Sequence, residues 1–134
     1  MDNVVARLMR YAKVWSESDY HANRGTTPST DRQFDMARLL VEELHSLGVD
    51  NAFVDDTCYV YASLPATPGC EHLPVIGLIA HMDTTPDMTG KDVKPQILHY
   101  DGGDLMLNPE QNIVMRGSAF PELKKFIGQD LVCT

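Results

Sequence analysis

The length, composition and charge of the chain limit the kinds of protein it can be. At 134 residues, with 43% apolar and 22% charged side chains, it has the size and balance of about one globular domain with a hydrophobic core. Its formal net charge of −8 argues against nucleic acid or an anionic membrane as a partner, since neither attracts an acidic surface.

Two helices are predicted in the first part of the chain. Asp2 or Asn3 can cap the first helix, whose apolar side chains recur at helical spacing over residues 4–15. A second helix is predicted between a start signal at residues 28–31 and Gly48, which suits a left-handed C-cap. Its apolar stripe is expected in the core and consists of Phe34, Ala37, Leu40, Val41, Leu44 and Leu47.

Loops and a β-hairpin are predicted around the second helix. Residues 16–27 are polar and residues 65–74 are rich in proline, so both stretches predict loops. Residues 51–54 and 58–64 are rich in β-forming side chains. The turn-forming residues 55–57 lie between them, which favours a hairpin.

An apolar run near the middle of the chain predicts a buried strand that ends in ionisable side chains. Residues 75–79 are almost continuously apolar, as in a parallel sheet covered on both faces. His81 and Asp83 follow two residues apart, so strand geometry would point both to the same side at the carboxyl end. Ligands bind at that end in open α/β sheets.

His81 and Asp83 together suit a zinc site. A neutral imidazole is a good zinc ligand, and a carboxylate on its other ring nitrogen fixes the tautomer and aims the ring. The alternative is a strand-end histidine and a loop-capping aspartate without a ligand, because a His-x-Asp tripeptide alone is a weak signal. Other acidic and histidine candidates show no metal-ligand spacing: His72, Asp87, His99, Asp101 and Asp104.

The last part of the chain predicts two strands and a short helix. Residues 95–100 predict a strand, and Gly102 in the turn after it can supply a positive φ. A short helix is predicted at 118–126 and a strand at 129–134. Since a domain seldom stops in an incoming strand, we expect the chain to be truncated. Together the elements predict an α/β fold, with a mixed sheet flanked by helices.

The cysteines and the N-terminal sequence predict a cytoplasmic protein. Cys58, Cys70 and Cys133 are odd in number and widely spaced, which suggests neither a disulfide framework nor a cysteine zinc site. Residues 1–15 carry charges throughout, unlike the core of a signal peptide. No stretch approaches the roughly 18 apolar residues of a membrane span.

Several stretches resemble the peptidase T family of tripeptide aminopeptidases, which belongs to the superfamily of di-zinc aminopeptidases, carboxypeptidases and deacylases. The main similarity is the sequence IGLIAHMDT at 76–84. Shorter similar stretches lie at 28–30, 64–66, 86–87, 90–91, 94–97, 100–104, 120–123 and 128–131. With the N-terminal helix, the resemblance covers essentially the whole chain.

The resemblance implies that residues 1–134 are a partial N-terminal segment of a zinc-peptidase catalytic domain, without the second domain used for substrate binding and dimerisation. It implies that His81 is a ligand of one of two zinc ions and that Asp83 is the catalytic carboxylate that orients it. The bridging aspartate, the general-base glutamate and the other ligands of the family lie further on. We therefore expect the chain alone to be metal-free or to bind zinc weakly, and to be inactive.

The substrate implied by the resemblance is a tripeptide that loses its N-terminal residue, and a homodimer is a further possibility. A related di-zinc deacylase or carboxypeptidase would share His81 and Asp83. A third alternative is a non-catalytic acidic α/β module that binds a protein partner without a metal, because a histidine and acid at a strand end are not in themselves catalytic.

Overall fold

The computed structural model describes residues 4–23 and 25–134, which divide into two compact units. One unit combines the chain up to Lys13 with Val93–Thr134, and the other is Val14–Asp92. Helices and short strands both occur among the described residues. The predicted α/β class is therefore confirmed in its coarse form.

The first helix, α1, spans Val4–Tyr11 and is shorter than predicted. The predicted cap at Asp2 or Asn3 lies outside the described residues. Beyond the helix the chain pairs with a distant segment, and the carbonyl of Ser16 accepts the backbone N–H of Thr84 at 3.3 Å. Of the helices that the structure describes, none is both long and apolar enough to cross a membrane.

The second helix, α2, spans Gln33–Ser46, and its predicted end is confirmed because Gly48 has φ 84°. Ala37 is fully buried and Met36 is 7% exposed, and α2 contacts the hairpin that follows. Leu47 is 41% exposed and the rest of the predicted stripe is half-buried. The stripe is thus only partly in the core.

The predicted hairpin is confirmed with shorter strands. β1, Phe53–Val54, pairs antiparallel with β2, Val60–Tyr61. Ala52 and Cys58, beside the two strands, are buried. The hairpin and α2 therefore supply most of the buried apolar side chains in their unit.

The predicted buried strand at residues 75–79 is wrong for this chain. These residues form neither helix nor strand, and exposure of their large apolar side chains ranges from 84% for Ile76 to 100% for Ile79. A strand is held by backbone hydrogen bonds to a neighbour, and in the described ranges no strand pairs with this run. The apolar pattern is present, but no strand among the described residues pairs with it.

In the other unit both predicted strands are confirmed. β3, Gln96–Tyr100, pairs antiparallel with β6, Gln129–Cys133, along its whole length. The Tyr100 side chain is 2% exposed, and its hydroxyl donates to the carbonyl of Gly103 at 2.9 Å. This bond ties the end of β3 to the turn that follows.

A second hairpin was not predicted from the sequence. β4, Leu105–Asn108, pairs antiparallel with β5, Ile113–Met115, around a turn in which Asn112 has φ 52°. The predicted short helix is a 3₁₀ helix at Pro121–Phe126, with proline in the first turn, where its missing N–H costs nothing.

Each of the three sheets seen in the described residues has two antiparallel strands. The predicted mixed sheet flanked by helices is not formed in this part of the chain. Among the described residues, parallel pairing is limited to an isolated bridge between Glu17 and Thr84. That bridge determines the position of the loop that carries His81 and Asp83.

Candidate functional site

His81 and Asp83 lie side by side in a loop. The ring nitrogen Nδ1 of His81 is 3.0 Å from the backbone carbonyl oxygen of Asp83 and 3.2 Å from its carboxylate Oδ1. Both oxygens accept hydrogen bonds, so this geometry favours the tautomer with the proton on Nδ1 and a lone pair on Nε2. The predicted proximity is confirmed, although it arises from a loop and not from a strand end.

Both side chains reach solvent. The His81 side chain is 85% exposed and that of Asp83 is 37% exposed. Water competes for such exposed contacts, so the pair by itself is weakly held. The orientation of His81 therefore depends on how firmly the surrounding backbone is fixed.

The backbone around Asp83 is fixed by residues near the end of the first helix. The buried hydroxyl of Ser16 donates to the carbonyl of Met82 at 3.0 Å. The backbone N–H of Ser18 donates to the carbonyl of Thr84 at 2.9 Å. With the Thr84 to Ser16 bond these contacts form a short parallel pairing, and they hold the residues on both sides of Asp83.

The Glu17 side chain anchors the far end of the same loop. Its Oε2 accepts the backbone N–H of Gly90 at 2.8 Å and the indole N–H of Trp15 at 3.2 Å. These two bonds hold the pKa of the Glu17 carboxyl below its usual range, because both favour the charged form, and the bond from Gly90 has the larger effect. Glu17 is thus an ionised acceptor at neutral pH.

The Trp15 ring contacts two cations beside this anchor. The guanidinium carbon of Arg32 is 4.1 Å from the ring centroid, and the Lys91 ammonium is 5.5 Å away. Arg32 also donates through Nε to the backbone carbonyl of Glu17 at 3.0 Å. Cation–π contacts of this kind contribute about 0.5–1 kcal/mol each at exposed sites. They reinforce the closure of the loop near Lys91.

Asp87, another candidate from the sequence, is engaged within the loop. Its Oδ2 accepts hydrogen bonds from the Thr85 hydroxyl and, at 3.1 Å, from the Tyr20 hydroxyl. The bond from Thr85, followed by that from Tyr20, lowers the pKa of the Asp87 carboxyl. These donors explain its ionised state through loop structure alone.

The remaining candidates do not assemble a metal site. Asp101 and Asp130 flank the ring of His99, and Asp104 pairs with Arg116 at 3.2 Å. Throughout the residues that the structure describes, no group of three or more His, Cys, Asp or Glu side chains is arranged to hold a metal ion.

Sequence reasoning missed Ser16 and Glu17, which were assigned to a polar loop. Both act on residues more than sixty positions away, since the Ser16 bond to Met82 spans 66 residues and the Glu17 bond to Gly90 spans 73. Local periodicity carries no signal for such contacts. Pairing the predicted strands at 95–100 and 129–134 would have placed His99 near Asp130.

Comparison with known proteins shows relatives along the whole chain. The chain is 48% identical to peptidase T from Alkaliphilus oremlandii, over 100% of this chain and 33% of that protein. It is 49% identical to peptidase T from Caldanaerobacter subterraneus subsp. tengcongensis, over 100% of this chain and 32% of that protein. The resemblance to peptidase T is confirmed. The peptidase T of Geobacillus kaustophilus is 47% identical, over 98% of this chain and 31% of the relative.

The chain spans about a third of the length of the peptidase T proteins it matches. No family model matches it. Because the alignment to the Alkaliphilus peptidase T covers the whole chain, it includes the loop of His81 and Asp83 and the segment of Ser16 and Glu17 that holds it.

Proposed function

We propose that this chain carries the His81 and Asp83 part of a zinc-dependent aminopeptidase that releases the N-terminal residue of short peptides, tripeptides in particular. The observation that carries the proposal is the contact of His81 Nδ1 with both oxygens of Asp83, in a chain similar to peptidase T over its full length. The peptide substrate is inferred from the name of those relatives. The tripeptide preference and the zinc come from the family resemblance.

The chemistry of His81 fits one zinc ligand. With Nδ1 engaged by Asp83, the Nε2 lone pair belongs to a side chain that is 85% exposed and open to an approaching ion. A catalytic zinc needs about three protein ligands, and the described residues do not bring three donors together. His81 would therefore supply one ligand, with the others contributed from outside this set of residues.

Zinc ions, when bound, would activate a water molecule and polarise the carbonyl of the peptide bond that is cleaved. The contribution of this chain would be to hold His81 in the correct tautomer. Asp83 would accept a hydrogen bond from Nδ1–H, which orients the ring and raises the basicity of Nε2.

The cytoplasm is the proposed location, because Cys58, Cys70 and Cys133 are free thiols, as expected in a reducing compartment.

A chimeric enzyme tests the proposal. This chain would replace the segment that it matches in the Alkaliphilus peptidase T, and release of the N-terminal residue from tripeptides would be measured with added Zn²⁺. We expect the folded chimera to be active. His81→Ala should lower kcat/KM by more than the roughly 100-fold typical of losing a group that only supports a ligand. His72→Ala, at another exposed histidine in a loop, is the matched control.

Two outcomes would contradict this assignment. Full activity of a folded His81→Ala chimera would exclude His81 as a ligand. Cleavage of N-acyl amino acids in preference to tripeptides would favour the related deacylase, which shares the same pair of residues.

A further inference from the structure

We propose that Ser16 and Glu17 are positioning residues, which hold the loop of His81 and Asp83 so that the His81 ring presents Nε2 to a metal ion. The metal-binding role rests on the function proposed above. The positioning itself is a property of this chain and is argued from its hydrogen bonds.

The first step is the peptide between Met82 and Asp83. Its carbonyl oxygen accepts the Ser16 hydroxyl at 3.0 Å, and Ser16 is fully buried. A planar peptide fixed at its oxygen can no longer rotate freely. Losing the Ser16 hydroxyl would remove the bond that fixes the Met82 carbonyl from the protein side, at a cost typical of a lost hydrogen bond.

The second step is the peptide between Asp83 and Thr84. In a trans peptide the C=O and the N–H point in opposite directions. The Thr84 N–H donates to the backbone carbonyl of Ser16, so the Asp83 carbonyl on the other side of the same plane points away from Ser16. That carbonyl lies 3.0 Å from Nδ1 of His81. Pairing with Ser16 therefore orients the acceptor that selects the His81 tautomer.

The third step is the closure of the loop by Glu17. Its carboxylate holds the Gly90 N–H at 2.8 Å, and a Cβ added at Gly90 would lie 3.0 Å from the Thr84 hydroxyl oxygen. Gly90 thus packs tightly against Thr84. By fixing Gly90, Glu17 limits the movement of Thr84 and of the peptide that precedes it.

The two residues act on one measurable property, the proton position in the His81 ring. The hydrogen bond made by one ring nitrogen determines which nitrogen carries the proton. Because the ring is largely exposed, it can rotate away from Asp83 whenever the backbone of the loop relaxes. A loosened loop would therefore shift the ring away from the Nδ1–H tautomer.

The test is ¹⁵N NMR of the histidine ring nitrogens in this chain, at alkaline pH where the neutral imidazole predominates. The native chain should show His81 mainly as Nδ1–H. Ser16→Ala and Glu17→Ala should each lower that fraction by about half or more. Glu17→Gln should preserve it, because an amide oxygen can still accept the Gly90 N–H. If Ser16→Ala does not fold, the two Glu17 variants carry the test.

Ala37→Gly is the control for a purely structural effect. It removes a buried methyl group from α2 and should lower stability without changing the His81 tautomer. Unchanged tautomers in the Ser16→Ala and Glu17→Ala chains would overturn the positioning role and leave the proposed peptidase function intact. A native chain with His81 as Nε2–H would also overturn it, and the chimera assay would then decide the zinc role independently.

Discussion

Nδ1 of His99 on β3 lies 2.8 Å from Oδ1 of Asp130 on β6, directly across the antiparallel pair. On the other side of the ring, Nε2 is 3.6 Å from a carboxylate oxygen of Asp101. The hydrogen bond to Asp130, assisted by the charges of both carboxylates, raises the pKa of His99. Folding therefore favours the protonated ring.

The chain should lose stability at this pair as the pH rises. The folded-state pKa of His99 is higher than its unfolded value of about 6.5. The stabilisation is therefore complete below that value and is lost as the pH rises through the folded-state pKa. Urea midpoints between about pH 5 and about pH 9 measure it, and Asp130→Asn should flatten the decline. Asp50→Asn, at an exposed position, is the control and should leave the decline of the midpoint with pH unchanged. An equal decline in the Asp130→Asn and native chains would contradict the prediction.

This pair shows what local sequence patterns can predict. The strands that carry His99 and Asp130 were predicted, because β-forming side chains and turn glycines are local signals. Their pairing was not, because it joins residues 31 positions apart. The proximity of His81 and Asp83, by contrast, was predicted correctly. They are two positions apart, so an extended or looped backbone keeps them close.

Residues 75–79 show the opposite limit. Their apolar run is a strong local signal, yet burial requires a neighbouring strand and a covering layer, and neither is formed in the described residues. The contact between Ser16 and Met82 is likewise non-local. It helps to hold the loop of His81, and no sequence periodicity predicts it. The type of α2 and of strands β3 and β6 was thus readable from the sequence, whereas the strand predicted at 75–79, burial and loop position depended on distant partners.

Ile79→Lys should leave the stability of this chain nearly unchanged. The Ile79 side chain is fully exposed, so a charge there stays hydrated and the free energy of unfolding should change by no more than about 0.5 kcal/mol. Met36→Lys, at a buried position on α2, is the contrasting variant and should destabilise strongly. Urea denaturation measures both. A large loss with Ile79→Lys would mean that the run is buried after all.

Gly117→Ala should destabilise the unit that contains β4 and β5. A Cβ at Gly117 would collide with the backbone carbonyl oxygen of Gly103, and backbone atoms cannot move aside as a flexible side chain can. The expected cost is about 1–3 kcal/mol, as for other overpacked sites. Gly77→Ala is the matched control, because a Cβ there meets nothing within 4 Å. Equal unfolding free energies for the two variants would refute the steric argument.

Asp55→Ala should weaken the β1–β2 hairpin. Its Oδ1 accepts the backbone N–H groups of Tyr59 at 2.8 Å and Thr57 at 3.0 Å, and the bond from Tyr59 is the main cause of its lowered pKa. Since the folded-state pKa is lowered, this stabilisation is present above about pH 4 and is lost on acidification.

The urea midpoint at neutral pH should therefore fall for Asp55→Ala, and the difference from the native chain should shrink as the pH is lowered. Asp56→Ala, at the exposed neighbouring aspartate, is the control and should leave the midpoint unchanged. A midpoint difference for Asp55→Ala that does not depend on pH would rule out the carboxylate as its source.

Asp83 variants of the chimera test whether the carboxylate supports His81. Losing a group that orients a metal ligand typically costs 10–100-fold in metal affinity or activity. Here the backbone carbonyl of Asp83 is also 3.0 Å from Nδ1, and it survives any substitution. We therefore expect Asp83→Ala to fall near the lower end, about tenfold, in kcat/KM and in Zn²⁺ affinity.

Asp83→Asn separates the two contributions of that side chain. It keeps an oxygen that can accept the Nδ1 proton but removes the negative charge that raises the basicity of Nε2. The loss of kcat/KM and of Zn²⁺ affinity should be smaller for Asp83→Asn than for Asp83→Ala. Both variants should have the same urea midpoint as the native protein, because the carboxylate contact is exposed. A loss well below tenfold for Asp83→Ala would assign the orientation of His81 to the backbone carbonyl alone, held in place from Ser16.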